Sequence, residues 1–197
     1  MKLKFKKGFD GDLSKLPSRE VKGAVPFKEP QSIKKFSLLA NIISLFIMAA
    51  ACVPVVIVSG GFKAVYSGFL DNLLMLISFL VCLLAAFPVH ELLHAICFRE
   101  EVEFYTYLPK GLMFVVGTES MSKAHFVFMC LLPNIVFGVV PYILFFIFPS
   151  QIWLGFFGAV CLGAGAGDYI NVFNAVTQMP KGAKCFMSKD HTYWYAA

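Results

Sequence analysis

Four long apolar runs, at roughly 37–59, 72–98, 124–148 and 152–178, decide what this chain can fold into. Each is long enough to cross a bilayer as a helix, which takes about 20 residues. A mean hydropathy of +0.73, with 58% apolar and 15% charged residues over 197 positions, excludes both a disordered chain and an ordinary water-soluble domain. The expected fold class is therefore an all-α membrane protein: four transmembrane helices, with a β-hairpin-like insertion between the second and third.

Charge sets the orientation. Ten of the seventeen Lys and Arg residues precede Ser37, the loop at 60–70 carries only Lys63, and the turn at 149–151 carries none. Arg99, Lys110 and Lys123 lie in the segment 99–123, and Lys181, Lys184 and Lys189 in the tail. Sixteen of the seventeen thus fall on the side of both termini, which the positive-inside rule assigns to the cytoplasm of a multi-pass protein of the cell membrane. The expected division is a basic cytoplasmic extension over 1–36, a four-span domain over 37–178 and a cytoplasmic tail over 179–197. Pro17, Gly23, Pro26 and Pro30 punctuate the extension, which reads as mostly extended or loosely ordered. The formal charge of +5 belongs to that end, and reads as topology first and contact with anionic lipid second. The basic tail has little aromatic interleaving and no recognisable module, so it does not read as a nucleic-acid binder. The first apolar run is too long for the core of a secretory signal peptide. The six cysteines show neither C-x-x-C nor zinc-finger spacing and read as small core hydrophobes.

Residues 99–123 form the one sizeable polar insertion. Val102 to Leu108 alternates and is rich in aromatic and β-branched residues, Pro109-Lys110-Gly111 is a turn signal, and Leu112 to Gly117 is a second β-like run. A hairpin over 102–117 follows, lying toward the membrane surface beside the end of the second span.

Inside that second span stands Pro88-Val89-His90-Glu91-Leu92-Leu93-His94-Ala95, an H-E-x-x-H sequence where ionisable side chains are expensive. On a helix, His90 and His94 are one turn apart and face the same way, so both imidazoles can bind one zinc. Glu91 projects close by and can take a proton from the attacking water. The plainer reading, two packed histidines and a buried glutamate, is weak in lipid. Pro88 cannot donate its backbone hydrogen bond and tends to kink the helix beside the motif.

Catalytic zinc commonly takes three protein ligands and keeps one position for water. Asp168 is the one charged residue of another span at the right depth. It lies ten residues, about 15 Å, before the inner end of the fourth run, and His90 lies eight residues, about 12 Å, before that of the second. Two imidazoles and a carboxylate also bring the site toward neutrality, which a low-dielectric interior favours. The stretch Gly163-Ala164-Gly165-Ala166-Gly167 suits the close approach of another helix. His125, His191 and Glu119 read better as interfacial or solvated groups. Asn134 is a candidate donor to a developing oxyanion, and Asn171, one turn past Asp168, a candidate partner behind the ligands. Both also admit a plain reading, as side chains that satisfy freed carbonyls or bond between helices.

With His90, Glu91 and His94 in one span, Asp168 in a later one and a β-like insertion between, the chain resembles the family of small integral membrane proteins described as putative zincin peptidases, over most of residues 70–178. More distantly, its site is similar to that of the site-2 intramembrane metalloproteases, which carry an Asp-Gly ligand motif where this chain reads Gly167-Asp168-Tyr169. The resemblance implies zinc-dependent hydrolysis of peptide bonds within or near the membrane. The reading is an intramembrane zinc metalloprotease: His90, His94 and Asp168 as ligands of Zn2+, Glu91 as general base, and the lipid bilayer and a peptide or transmembrane segment as partners. Its alternative is a non-catalytic metal-binding membrane protein, a sensor or assembly factor. A metal-ion transporter fits less well, because the spans hold few other polar groups.

Overall fold

A computed structural model describes residues 2–6, 8–30, 33–107 and 111–196. In chain order the elements are β1 (Lys2–Lys6), β2 (Val25–Pro26), α1 (Ile33–Val58), α2 (Phe62–Leu70), α3 (Leu73–Ala95), β3 (Glu101–Tyr107), β4 (Leu112–Val116), β5 (Met121–Ser122), α4 (Lys123–Pro133), a π-helical segment (Asn134–Val139), α5 (Val140–Ile147), α6 (Ile152–Ala164), α7 (Ala166–Gln178), β6 (Lys184–Ser188) and β7 (His191–Tyr195). The protein is mostly helical but not all-α, since the strands form two sheets. The chain divides into two compact units: one of Met1–Glu29, Pro88–Leu132 and Ile170–Ala197, the other of Pro30–Phe87 and Pro133–Tyr169.

The second unit is helical. Its α6 packs against α1, α5 and the π-helical segment through small residues. At Gly158 an added Cβ would lie 2.7 Å from the backbone N of Tyr142, so the helices approach as closely as glycine allows. The Tyr142 hydroxyl crosses to donate to Ala51 O at 2.8 Å. The expected loop at 60–70 is mostly helix α2: Gly60 and Gly61, at φ 88° and 95°, end α1, and the apolar residues that follow coil again at once.

Among the described residues, three helical stretches are long and apolar enough to cross a membrane: Lys34–Val58, Leu73–Ala95 and Lys123–Ile147. The third is not uniform. Pro141 offers no N–H to the turn before it, and the Val140 N–H reaches back to Ile135 O in π register. The fourth run is broken. Its halves α6 and α7 meet at a 51° bend at Gly165, whose N–H closes on Cys161 O and Gly163 O.

The first unit carries both sheets. In one, of order β1-β3-β4, the expected insertion is an antiparallel pair running from Glu103↔Val116 to Tyr107↔Leu112. The turn signal at Pro109-Lys110 lies outside the described residues. The N-terminal extension, expected to be loosely ordered, supplies β1 in parallel to β3. Its sequence KLKFK alternates with a period of two. Leu3 joins the core and Phe5 meets the Phe104 ring, while Lys4 and Lys6 pair with Glu101 and Glu103. The second sheet, of order β2-β7-β6-β5, takes the C-terminal tail as a hairpin turned at Lys189-Asp190, with Lys189 at φ 57°. Beneath the sheets, Phe27, Phe98, Phe104, Met129, Ala175 and Cys185 belong to one buried cluster.

Candidate metal centre

The H-E-x-x-H turn closes α3. Beyond Ala95 the backbone keeps turning: the Ile96 N–H reaches Leu92 O, then Cys97 and Phe98 bond three residues back, to His94 O and Ala95 O. The motif thus occupies the last regular turns before the chain tightens and leaves for β3. Glu119 holds that exit, its carboxylate accepting the backbone N–H of Arg99 at 2.6 Å and of Glu100 at 2.9 Å. It is a structural clasp rather than the solvated loop residue expected from sequence.

The two histidines converge. His90 Nε2 and His94 Nε2 stand 3.1 Å apart, with the rings near perpendicular at 79°. His94 is buried, and its Nδ1 lies 3.0 Å from Met129 O. A carbonyl only accepts, so Nδ1 carries the proton and the Nε2 lone pair is directed to the His90 side. A ring fixed by donating Nδ1–H to a carbonyl is the usual support of a metal-binding imidazole. In a tetrahedral zinc site with Zn–N near 2.0–2.1 Å, two such nitrogens stand about 3.3 Å apart. The observed separation is close to that value. Ligand atoms of His90, Glu91 and His94 all lie within 4.8 Å of one another, the one such group of three among the described residues.

Asp168 and Asn134 come together in the helical unit. Asn134, only 2% exposed, opens the π-helical segment, and its Nδ2 donates to Asp168 Oδ2 at 2.9 Å. Gly165 makes room for that amide: a Cβ there would lie 1.6 Å from Asn134 Oδ1. Its φ of −75° is open to any residue, so space and not backbone conformation demands glycine. The glycine stretch thus has three separate surroundings. Gly163 lies against Ser44 O of α1, Gly165 houses Asn134, and Gly167 has nothing within 4 Å of an added Cβ.

The remaining histidines serve the framework. His125 lies in the first turn of α4, its backbone N–H donating to Ser122 Oγ at 3.3 Å. His191 on β7 pairs with Glu29 at 3.2 Å and Asp190 at 3.8 Å, tying the tail to the N-terminal extension. Asn171 sits half-buried on α7, one turn past Asp168. Sequence reasoning missed Met129, which acts through a backbone carbonyl and so leaves no trace in residue type. It also missed the separate task of Gly165, which was visible only as one member of a glycine run, and it passed over Asn174.

No curated protein and no solved structure matches the chain. A family model described as "Putative zincin peptidase" matches residues 83–184, just over half of the 197 and the part that runs from the H-E-x-x-H turn through β3 and β4 to Asp168. The chain belongs to that family.

Proposed function

We propose that the protein is a membrane-embedded zinc metallopeptidase. One observation carries the reading: the 3.1 Å approach of His90 Nε2 and His94 Nε2, with His94 Nδ1 committed to Met129 O. Membership of a zincin family supports the same chemistry. The membrane is supported by three apolar helices of spanning length, and by Leu45, Phe46, Leu80 and Leu84, large side chains that α1 and α3 leave exposed.

His90, His94 and Asp168 would hold the ion. Zinc bound there supplies a Lewis acid for the scissile carbonyl and a nucleophilic water at neutral pH. Glu91, adjacent to His90 on the same turn, accepts the proton of the attacking water and returns it to the leaving amine. Met129 O keeps the His94 ring from turning. Asn134 fixes the Asp168 carboxylate, as ligating carboxylates are usually fixed by a hydrogen bond behind them. Strand β4, at the edge of the β1-β3-β4 sheet, offers an edge to which an extended substrate strand can add, exposing a peptide bond otherwise locked in a helix. Both termini lie on the cytoplasmic side, following the Lys and Arg distribution.

Metal analysis of the purified protein and of Asp168→Asn, with a cleavage screen on membrane segments, tests this. Stoichiometric zinc in the wild type, its loss in Asp168→Asn, and turnover that vanishes in Glu91→Gln are expected. Zinc retained together with activity indifferent to Glu91→Gln would favour the sensor or assembly factor; absence of any transition metal ends the account.

A further inference from the structure

Helix α7 carries a polar stripe that the metal centre does not absorb. Asp168, Asn171, Asn174 and Gln178, spaced three, three and four apart, share one face, while Phe173 and Val176 stand exposed on the other side. Asn174 is only 4% exposed, and its Nδ2 has no hydrogen-bond partner among the described residues.

The orientation of that amide is settled by a chain of bonds that begins at a backbone donor. The Lys28 N–H donates to Gln178 Oε1 at 2.7 Å, which leaves Gln178 Nε2 as the outward donor. That Nε2 donates to Asn174 Oδ1 at 2.9 Å. Because a backbone N–H cannot become an acceptor, neither side-chain amide can flip without losing a bond. Asn174 Nδ2 is thereby held as a buried donor in need of an oxygen.

The metal motif and Asn174 border one core: His94 stands one residue before the end of α3, and Asn174 four before the end of α7. Ala95 and Ala175, the next residue after each, are fully buried in the same cluster. A peptide unwound for cleavage in an apolar site has main-chain carbonyls that water does not reach, and each requires a donor. A fixed, buried N–H bordering the same core as the motif meets that need.

We propose that Asn174 binds the peptide substrate, its Nδ2 donating to a main-chain carbonyl of the unwound segment beside the H-E-x-x-H turn. This rests on the peptidase reading above. The test uses full-length Glu91→Gln protein, which binds without turnover, and the fluorescence anisotropy of a fluorescein-labelled pool of apolar segment peptides. Asn174→Asp keeps an oxygen for Gln178 and removes the donor; Asn174→Ala removes the donor without adding charge, should the aspartate unfold the protein. Thermal midpoints are measured for both. Loss of one such bond with its carbonyl left buried weakens binding about tenfold. Tenfold weakening in a variant that melts like its parent supports the proposal. Unchanged binding overturns it and leaves the peptidase intact, for Asn174 is then only the acceptor of Gln178. No peptide binding by the Glu91→Gln parent itself overturns the peptidase reading, and this proposal with it.

Discussion

Replacing Gly165 by alanine should break the Asn134–Asp168 hydrogen bond, and the size of the effect follows from the packing. The new Cβ would lie 1.6 Å from Asn134 Oδ1, 2.4 Å from its Cγ and 2.7 Å from its Nδ2, so the whole amide must leave. Overpacking of that kind costs about 1–3 kcal/mol. Departure of Asn134 Nδ2 from Asp168 Oδ2 removes a bond to a charged group, about 1.5–3 kcal/mol more. Set against this is a gain of roughly 0.5–1 kcal/mol from alanine's smaller backbone entropy, which the φ of −75° lets it realise. The net loss should be about 3 kcal/mol. Asn134→Ala supplies the control, because it removes the group that Gly165 accommodates. In that background Gly165→Ala should be neutral or slightly stabilising, giving a coupling energy of about 3–4 kcal/mol in a double-mutant cycle. Denaturant unfolding of the four proteins in detergent measures the cycle, and zinc content reads the consequence for Asp168. Equal destabilisation of both backgrounds by Gly165→Ala would refute the reasoning, since the clash would then not be with the Asn134 amide.

Three further outcomes are expected. His90→Ala should abolish zinc retention, measured by metal analysis after dialysis, whereas Glu91→Gln should keep zinc and lose hydrolysis by about 10²-fold or more. The Lys4 ammonium beside Glu101 holds its carboxyl below the ordinary glutamate range, so this pair stabilises β1 above that range and its contribution is lost as pH falls through the lowered value. The protection factors of the β1 amides, corrected for the intrinsic pH dependence of exchange, should fall on acidification, and Glu101→Gln should remove that fall. Burial pushes the Cys185 thiol up to about 12, so in the folded protein it should resist maleimide at neutral pH and react only on unfolding, as mass spectrometry of the labelled chain would show.

How much of this was legible in the sequence depends on the distance over which each feature is decided. His90 and His94 are brought together by four residues of one helix, so their spacing alone was enough. Three of the four expected apolar helices were likewise legible, since each is set by its own apolar run. Strand β1 was not. Its partner β3 starts nearly a hundred residues later, and nothing in KLKFK names Glu101 and Glu103 as the groups its lysines will face. The tail hairpin β6–β7 is local, yet it was obscured because its two-residue turn places Lys189 rather than a glycine at positive φ. The bend at Gly165 was hidden by the hydropathy that made 152–178 read as one straight span.

The polar exceptions inside the apolar runs show a regularity that sharpens the rule used to find them. Three of them have a second polar group holding them: His94 has Met129 O, Asp168 has Asn134 Nδ2, and Asn174 has Gln178 Nε2. An unheld polar group in such surroundings costs about 1–3 kcal/mol and rotates to whatever partner it can find, so a group that must present one atom to a ligand needs another atom tied down. His94 and Asn174 each have one atom tied, and the tie determines which atom is left to face a ligand. For His94 that atom is Nε2, an acceptor suited to a cation. For Asn174 it is Nδ2, a donor suited to a carbonyl. In a span, the sign of the atom opposite the tie therefore says more about the ligand than the residue type does.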